Sequence, residues 1–138
     1  MDLAFDLQRM PYALRFAKPV AITDPDQYIN DCCIGGDRVL DRLLPALRQR
    51  YGDLQSNQED WGWFAWFDDA GTKLAVDIFT NDHERGQFQI HLTSRRPRLI
   101  LGDRIEDRPE LDALRDLVVA ELRSWPVSDL VIERVNEK

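Results

Sequence analysis

Histidine is the side chain most often used for proton transfer near neutral pH, and the chain contains two, His83 and His91. His91 lies in the alternating run QFQIHLTS, and Asp77 lies in the preceding run KLAVDIFT. If these runs are neighbouring antiparallel strands, directly opposed side chains have Cβ atoms about 5 Å apart. The pattern therefore predicts an Asp77–His91 pair, which forms either a structural hydrogen bond or part of a small active site.

The sequence indicates no nucleophile or metal site to accompany this pair. The chain contains none of the motifs H-E-x-x-H, G-x-S-x-G and C-x-x-C. The loop NDHERG places Asp82, His83 and Glu84 side by side, but three consecutive ligand types in one turn rarely face a single metal. We therefore expect no metal, no cofactor and no catalytic residues. An enzyme that uses Asp77 and His91 is the alternative.

The two cysteines are neighbours in sequence, Cys32 and Cys33. A disulfide between adjacent residues is strained, so we expect both thiols to be reduced, as small apolar side chains on a helix. A soft metal or a redox switch is the other interpretation, but no histidine or third cysteine lies nearby in sequence.

Arginines cluster in the run SRRPR, at Arg95, Arg96 and Arg98. Such a cluster beside a sheet can hold a phosphate or carboxylate through bidentate hydrogen bonds, which makes it a weak candidate for an anion site. A charged strand end that discourages edge-to-edge aggregation explains the same residues.

The run WGWFAWF contains three of the four tryptophans in seven positions. Successive side chains of a strand point to opposite faces, so the alternation predicts Trp61, Trp63 and Phe67 on one face and Phe64 and Trp66 on the other. Both faces are apolar. Either set is a plausible member of the core, and the sequence does not decide which one faces outward.

The remaining elements follow from periodicity and capping. YALRFAKPVAI predicts a first strand, and TDPDQ predicts the start of a helix that extends over 25–51. Apolar residues keep helical spacing through Gly35 and Gly36, which favours one continuous helix. A break at these glycines, or at Pro45, is the alternative.

The second half of the chain predicts a meander of strands followed by a helix. SNQED indicates a polar loop, DDAG a hairpin turn, and KLAVDIFT and QFQIHLTS two strands with Leu74, Val76 and Ile78 facing inward on the first. RLILG predicts a further short strand. Asp107 and Pro109 signal a second helix, and LVIERV closes the chain as a strand.

The predicted order is β-α-β-β-β-(β)-α-β in a single α+β domain, residues 1–138. Two amphipathic helices need one apolar sheet face, so we expect both helices on the same side of a mostly antiparallel sheet of four to six strands. The aromatic strand is apolar on both sides, so one of its faces should lie on the uncovered side, near Ala75, Asp77, Phe79, His91 and Thr93.

This open face is the candidate binding site, because exposed aromatic patches tend to mark association sites. The predicted binding residues are Trp61, Trp63, Phe64, Trp66, Phe67, Asp77, Phe79 and His91. Two other interpretations exist. The N-terminal segment LAFDL or the loop 52–60 covers the rings, or the face forms a small-molecule pocket.

Charge narrows the class of partner. The formal net charge is −7, with eight acids and one base in residues 53–84, which argues against nucleic acid as a ligand. No apolar run reaches the roughly 18 residues of a membrane span, and Asp2 and Asp6 replace the positive charge of a signal peptide, so we expect a cytoplasmic protein.

We predict a non-enzymatic module that binds another protein, in the manner of an inhibitor or immunity protein, or a second copy of itself.

Overall fold

The structure is a computed structural model that describes residues 11–96, 104–105 and 109–134. Two 3₁₀ turns, Pro25–Gln27 and Asp31–Cys33, precede the first helix. The helices and strands, in chain order, are β1 (Tyr12–Ala17), α1 (Gly36–Tyr51), β2 (Gln55–Glu59), β3 (Gly62–Asp69), β4 (Thr72–Asp82), β5 (Gln87–Arg96), β6 (Arg104–Ile105), α2 (Pro109–Ser124) and β7 (Ser128–Arg134).

The strands form one antiparallel sheet in the order β2-β3-β4-β5-β1-β7, and the two-residue β6 pairs with the end of β5. Consecutive strands from β2 to β5 are neighbours joined by hairpins. β1 lies between β5 and β7, so the first and last strands of the chain are adjacent. The predicted α+β class and antiparallel sheet are confirmed.

One face of the sheet and one face of each helix form a single core. Alternate residues of β4, Leu74, Val76 and Ile78, are fully buried, as predicted from the sequence. The helices contribute their apolar stripes to the same cluster, including Leu43 of α1 and Leu114 of α2. Both helices therefore lie on one side of the sheet, because the residues that contact them all point the same way.

The predicted continuous helix over 25–51 is wrong, and the alternative of a break at the glycines is confirmed. Gly35 has φ +86°, a left-handed conformation that ends any helix entering it, and α1 begins only at Gly36. The preceding residues form the two 3₁₀ turns, with Asp24 accepting a hydrogen bond from the Asp26 N–H. Pro45 does not end α1, which continues to Tyr51.

The predicted polar loop SNQED is also wrong, because its first four residues belong to the edge strand β2 and only Asp60 lies in the turn that follows. β2 pairs with β3 along its whole length. The stretch before Asp31 supports it from the other side: Ile29 donates its N–H to Oε1 of Gln58 over 2.8 Å, and Gln58 Nε2 donates to the Gln27 carbonyl over 3.1 Å. Residues 55–59 therefore extend the sheet sideways and do not fold across the aromatic strand.

The second helix and the last strand are confirmed, since α2 begins at Pro109 and β7 contains most of LVIERV. The predicted strand RLILG, the cap Asp107 and the segment LAFDL lie outside the described residues. Within the described part of the chain, neither helix has the length and apolar character needed to cross a bilayer.

Candidate functional site

The side of the sheet that faces away from α1 and α2 is here called the open face, and four aromatic side chains of the described residues lie on it. This aromatic cluster consists of Trp61, Phe64, Trp66 and Phe79. The rings are in mutual contact, with centroids 4.0 Å apart for Phe64 and Trp66 and 5.2 Å apart for Trp61 and Phe79. Phe79 also meets the imidazole of His91 edge to face at 5.0 Å. The cluster extends from the β2–β3 turn across β3 to β4, and His91 adjoins it from β5.

Trp66 is the exposed member of the aromatic cluster. Its side chain stacks on Phe64 with an interplanar angle of 26°, and its Nε1–H donates to Oδ1 of Asp77 over 3.0 Å. Trp66 is nevertheless 40% exposed, whereas Phe64 beneath it is only 8% exposed. The indole is thus held in one orientation while much of its surface remains in contact with solvent.

Trp61 reaches the open face because it does not belong to β3. Glu59 pairs with Gly62, so Asp60 and Trp61 form the two-residue turn between β2 and β3. Gly62 has φ +154°, which only glycine adopts readily. The expectation that Trp61 shares a face with Trp63 is wrong, because the strand alternation on which it depended begins only after this turn.

Trp63 and Phe67 lie on the helix side and do not contribute to the open face. Trp63 donates its Nε1–H to the carbonyl of Cys33 over 2.8 Å. Phe67 is buried and stacks on Tyr51 of α1, with centroids 4.6 Å apart. Burial raises the pKa of the Tyr51 hydroxyl. Two of the eight predicted binding residues are therefore core residues.

Asp77 and His91 are directly opposed in the β4–β5 register, as predicted. Each is engaged in a further contact on the open face. Asp77 accepts the Trp66 indole N–H, and Nε2 of His91 lies 2.7 Å from the amide nitrogen of Gln89. An amide nitrogen donates, so this contact is a hydrogen bond in the tautomer that has its ring proton on Nδ1. These contacts orient the pair and supply no nucleophile.

A cavity of about 730 Å³ opens beside Trp66 at the end of the sheet that contains the β3–β4 turn. Small side chains make room for it: Ala75 lies opposite Trp66, and Thr93 lies opposite Ala75. The charged side chains of its wall are Asp53, Asp68, Lys73 and Arg95. Neither Asp77 nor His91 is among the described lining residues, so this cavity lies one row of the sheet away from the pair.

The predicted arginine cluster is only partly described. Arg95 is exposed and lies opposite Lys73. Arg96 is the last residue of β5, and Arg98 lies outside the described residues. The pairing of Arg95 with a second base is compatible with an anion site, which stays a prediction.

The cysteines occupy different environments. Cys33 is fully buried, with Sγ 3.0 Å from the carbonyl oxygen of Glu59, and burial raises the pKa of its thiol. Cys32 is exposed. Among the residues that the structure describes, no three histidine, cysteine, aspartate or glutamate side chains are grouped as metal ligands.

Sequence reasoning missed the residues that border the aromatic cluster on β2 and β3. Gln55 lies opposite Trp66, Asn57 lies opposite Phe64, and Asp68 follows Trp66 on the same face. Part of this arrangement could have been predicted from the sequence. A two-residue turn that ends before Gly62 pairs QSNQE with the aromatic strand and so places Gln55 and Asn57 beside the aromatic residues.

Comparisons with known proteins do not assign the chain to a family: no family model matches it, and no curated protein or solved structure matches it either. Function must therefore be argued from the open face itself.

Proposed function

We propose that the protein is a non-enzymatic module that binds another protein through its open face. The observation that carries this proposal is Trp66, which is 40% exposed on top of an ordered aromatic stack, on the side of the sheet opposite both helices. Aromatic side chains that are already oriented lose little conformational entropy on binding and are enriched among residues that dominate interface energetics.

The acidic segment 53–84 supports a basic partner. Its exposed acids include Glu59 and Asp60 at the β2–β3 turn and Asp68 at the other end of β3. Two copies of the chain would bring the same acids together, so a different protein with a basic surface fits the open face better than a second copy does. An inhibitor or immunity protein that neutralises a basic protein is one function of this kind.

Affinity capture from an extract of the source organism tests the proposal with two matched variants. Trp66→Ala removes the exposed ring of the open face, and Ile29→Ala removes an exposed apolar side chain from a loop beside β2. We expect Trp66→Ala to weaken capture of a specific protein by tenfold or more, as for a central interface residue, and Ile29→Ala to leave it unchanged.

Salt provides the second readout of the same experiment. Capture should weaken as ionic strength rises from about 0.05 M to about 0.5 M, because screening shortens the range of attraction between exposed charges. A partner that binds Trp66→Ala and the wild type equally well, or that binds independently of salt, contradicts the proposal. Trp66→Ala should remain folded, because Trp66 lies outside the hydrophobic core and is 40% exposed. Circular dichroism of the variant checks this.

The cavity beside Trp66 favours a second candidate, a small-molecule-binding protein whose ligand contacts Trp66 and the charged side chains of the cavity wall. In this candidate Asp77 and His91 lie in the adjacent row of the open face. A cavity of about 730 Å³ is within the size range of ligand pockets. Native mass spectrometry of protein purified from its source distinguishes the two functions. A bound small molecule that is lost on Ala75→Leu favours this second candidate, whereas an unliganded chain argues against it.

A further inference from the structure

We infer that the partner inserts an arginine side chain onto the exposed ring of Trp66. This inference rests on the proposed function and specifies the chemistry of the contact. Phe64 and Trp66 already form two stacked layers. A planar guanidinium would form the third layer on the solvent side of the indole.

Trp66 is well suited to receive a cation. Tryptophan is the best aromatic acceptor for a cation, because its ring faces carry partial negative charge. Donation of the Nε1–H to the Asp77 carboxylate over 3.0 Å draws the proton away from the ring and increases its electron density. The same hydrogen bond fixes the plane of the ring, so an incoming side chain meets a preformed surface.

The aromatic cluster has no internal cation among the described residues. Elsewhere in the described part of the chain, cations lie over the rings of Tyr12, Tyr51 and Trp125. The protein thus uses cation–ring contacts within its own fold, while no described lysine or arginine lies over Trp61, Phe64, Trp66 or Phe79. Within the described part of the chain, the exposed surface of Trp66 is therefore not covered by a cation.

Charge around the cluster complements an incoming base. Among the described residues, the ionisable side chains that border the cluster and the cavity beside it include five acids, two bases and one histidine, namely Asp53, Glu59, Asp60, Asp68, Asp77, Lys73, Arg95 and His91. Asp68 of β3, Lys73 of β4 and Arg95 of β5 form one row across the sheet, with Lys73 directly opposite both Asp68 and Arg95, so the acidic end of this row is on β3 and its basic end is on β4 and β5. A cation on Trp66 is therefore attracted toward Asp68 and Asp53 and kept from the β5 side.

Arginine fits this arrangement better than lysine does. Its planar group stacks on a ring while its edge N–H groups donate to a carboxylate, whereas a lysine ammonium is a strongly hydrated point charge. Asp68 lies two residues beyond Trp66 on the same face, about 7 Å along the strand, which places a carboxylate beside the edge of a stacked guanidinium.

Titration of the ¹⁵N-labelled full chain with capped tripeptides tests the inference by NMR. The probes are acetyl-Gly-Arg-Gly-amide and the same peptide with citrulline, which has the shape of arginine but no charge. The four indole N–H signals report the site. We expect the Trp66 signal to shift saturably with the arginine peptide, and the citrulline peptide to bind about fivefold more weakly. The Trp63 signal should not move, since its N–H donates to Cys33 in the interior.

Two variants sharpen the test. Asp68→Asn removes the carboxylate beside Trp66, and Glu84→Gln removes one acid at the opposite end of the sheet, in the β4–β5 turn. We expect Asp68→Asn to weaken arginine binding and Glu84→Gln to leave it unchanged. An unmoved Trp66 signal, equal binding of citrulline, or equal effects of the two variants would overturn the inference. If capture of the partner is still lost with Trp66→Ala, the proposed function survives that result and only the arginine contact is excluded.

Discussion

Gly62 determines on which side of the sheet Trp61 lies. It ends the two-residue turn between β2 and β3 with φ +154°, and a methyl group on its Cα would overlap the carbonyl oxygen of Ile78. No other residue type can occupy this position without moving β3 away from β4. The placement of Trp61 beside Phe64 and Phe79 therefore depends on one missing side chain.

Gly62→Ala should destabilise the protein by about 3 kcal/mol or more, because it combines an unfavourable φ with overlap against backbone. Gly71→Ala is the matched control. Gly71 also has positive φ, +89°, but nothing lies within 4 Å of the added methyl, so we expect a loss of only about 1 kcal/mol. Urea unfolding followed by circular dichroism measures both. Equal losses would contradict this account of Gly62.

The adjacent cysteines should differ in reactivity. Burial raises the pKa of Cys33, so the folded state favours its neutral thiol, and only thiolates react rapidly. This stabilising contribution is fully present below the thiol pKa of the unfolded chain, about 9, and is lost as pH rises through the higher pKa of the folded state. At neutral pH we expect a thiol reagent to label only Cys32 in the native protein.

Labelling with Ellman's reagent measures this difference directly. The wild type should show one fast thiol and the variant Cys32→Ala should show none until denaturant is added. Two fast thiols in the native wild type would mean that Cys33 is not buried in solution.

At the scale of elements, the β3–β4 hairpin has a local defect that sequence changes can repair. Its turn residues Ala70 and Gly71 both have positive φ, +51° and +89°, the conformation of a type I′ turn. Glycine adopts it without strain, but alanine does not. The sequence DDAG therefore predicted the position of the turn correctly. Ala70, its first central residue, is strained in the conformation that the turn requires.

Ala70→Asn should stabilise the protein by about 0.5–1 kcal/mol, because asparagine tolerates the left-handed conformation and Asn-Gly is the preferred type I′ pair. Thermal unfolding measures the gain, with Ala75→Asn in the following strand as a control that should not stabilise. A lower melting temperature for Ala70→Asn would show that the turn adopts another conformation in solution.

At the scale of the whole molecule, the sequence predicted the sheet and the helices that cover one of its faces, but it did not predict the edge strand β2. Alternation placed Leu74, Val76 and Ile78 in the core correctly because a covered strand face must be apolar. β2 was not predicted because QSNQE has no apolar residue. An exposed edge strand can form through backbone hydrogen bonds alone, so its side chains need not follow an apolar pattern.

The errors in the helix and the site have the same origin, a local backbone conformation that overrides a side-chain pattern. Apolar spacing continued across Gly35 and Gly36 although the backbone there leaves the helix, and aromatic alternation was extended to Trp61 although the strand begins at Gly62. In both places a glycine with positive φ interrupts the element. Register predicted the Asp77–His91 pair because it lies deep inside two regular strands.

The central claim, that the open face receives a protein partner, is tested most directly by site-specific photocrosslinking. Benzoylphenylalanine replaces Gln55, which is exposed and lies directly opposite Trp66, in one variant and Ile29 in another, and each full-length variant is irradiated in an extract of the source organism. Trp66 itself stays in place in both variants. We expect a discrete protein adduct from position 55 that disappears in about 0.5 M salt, and none from position 29. Adducts from position 29 alone, or none from position 55, would contradict the claim.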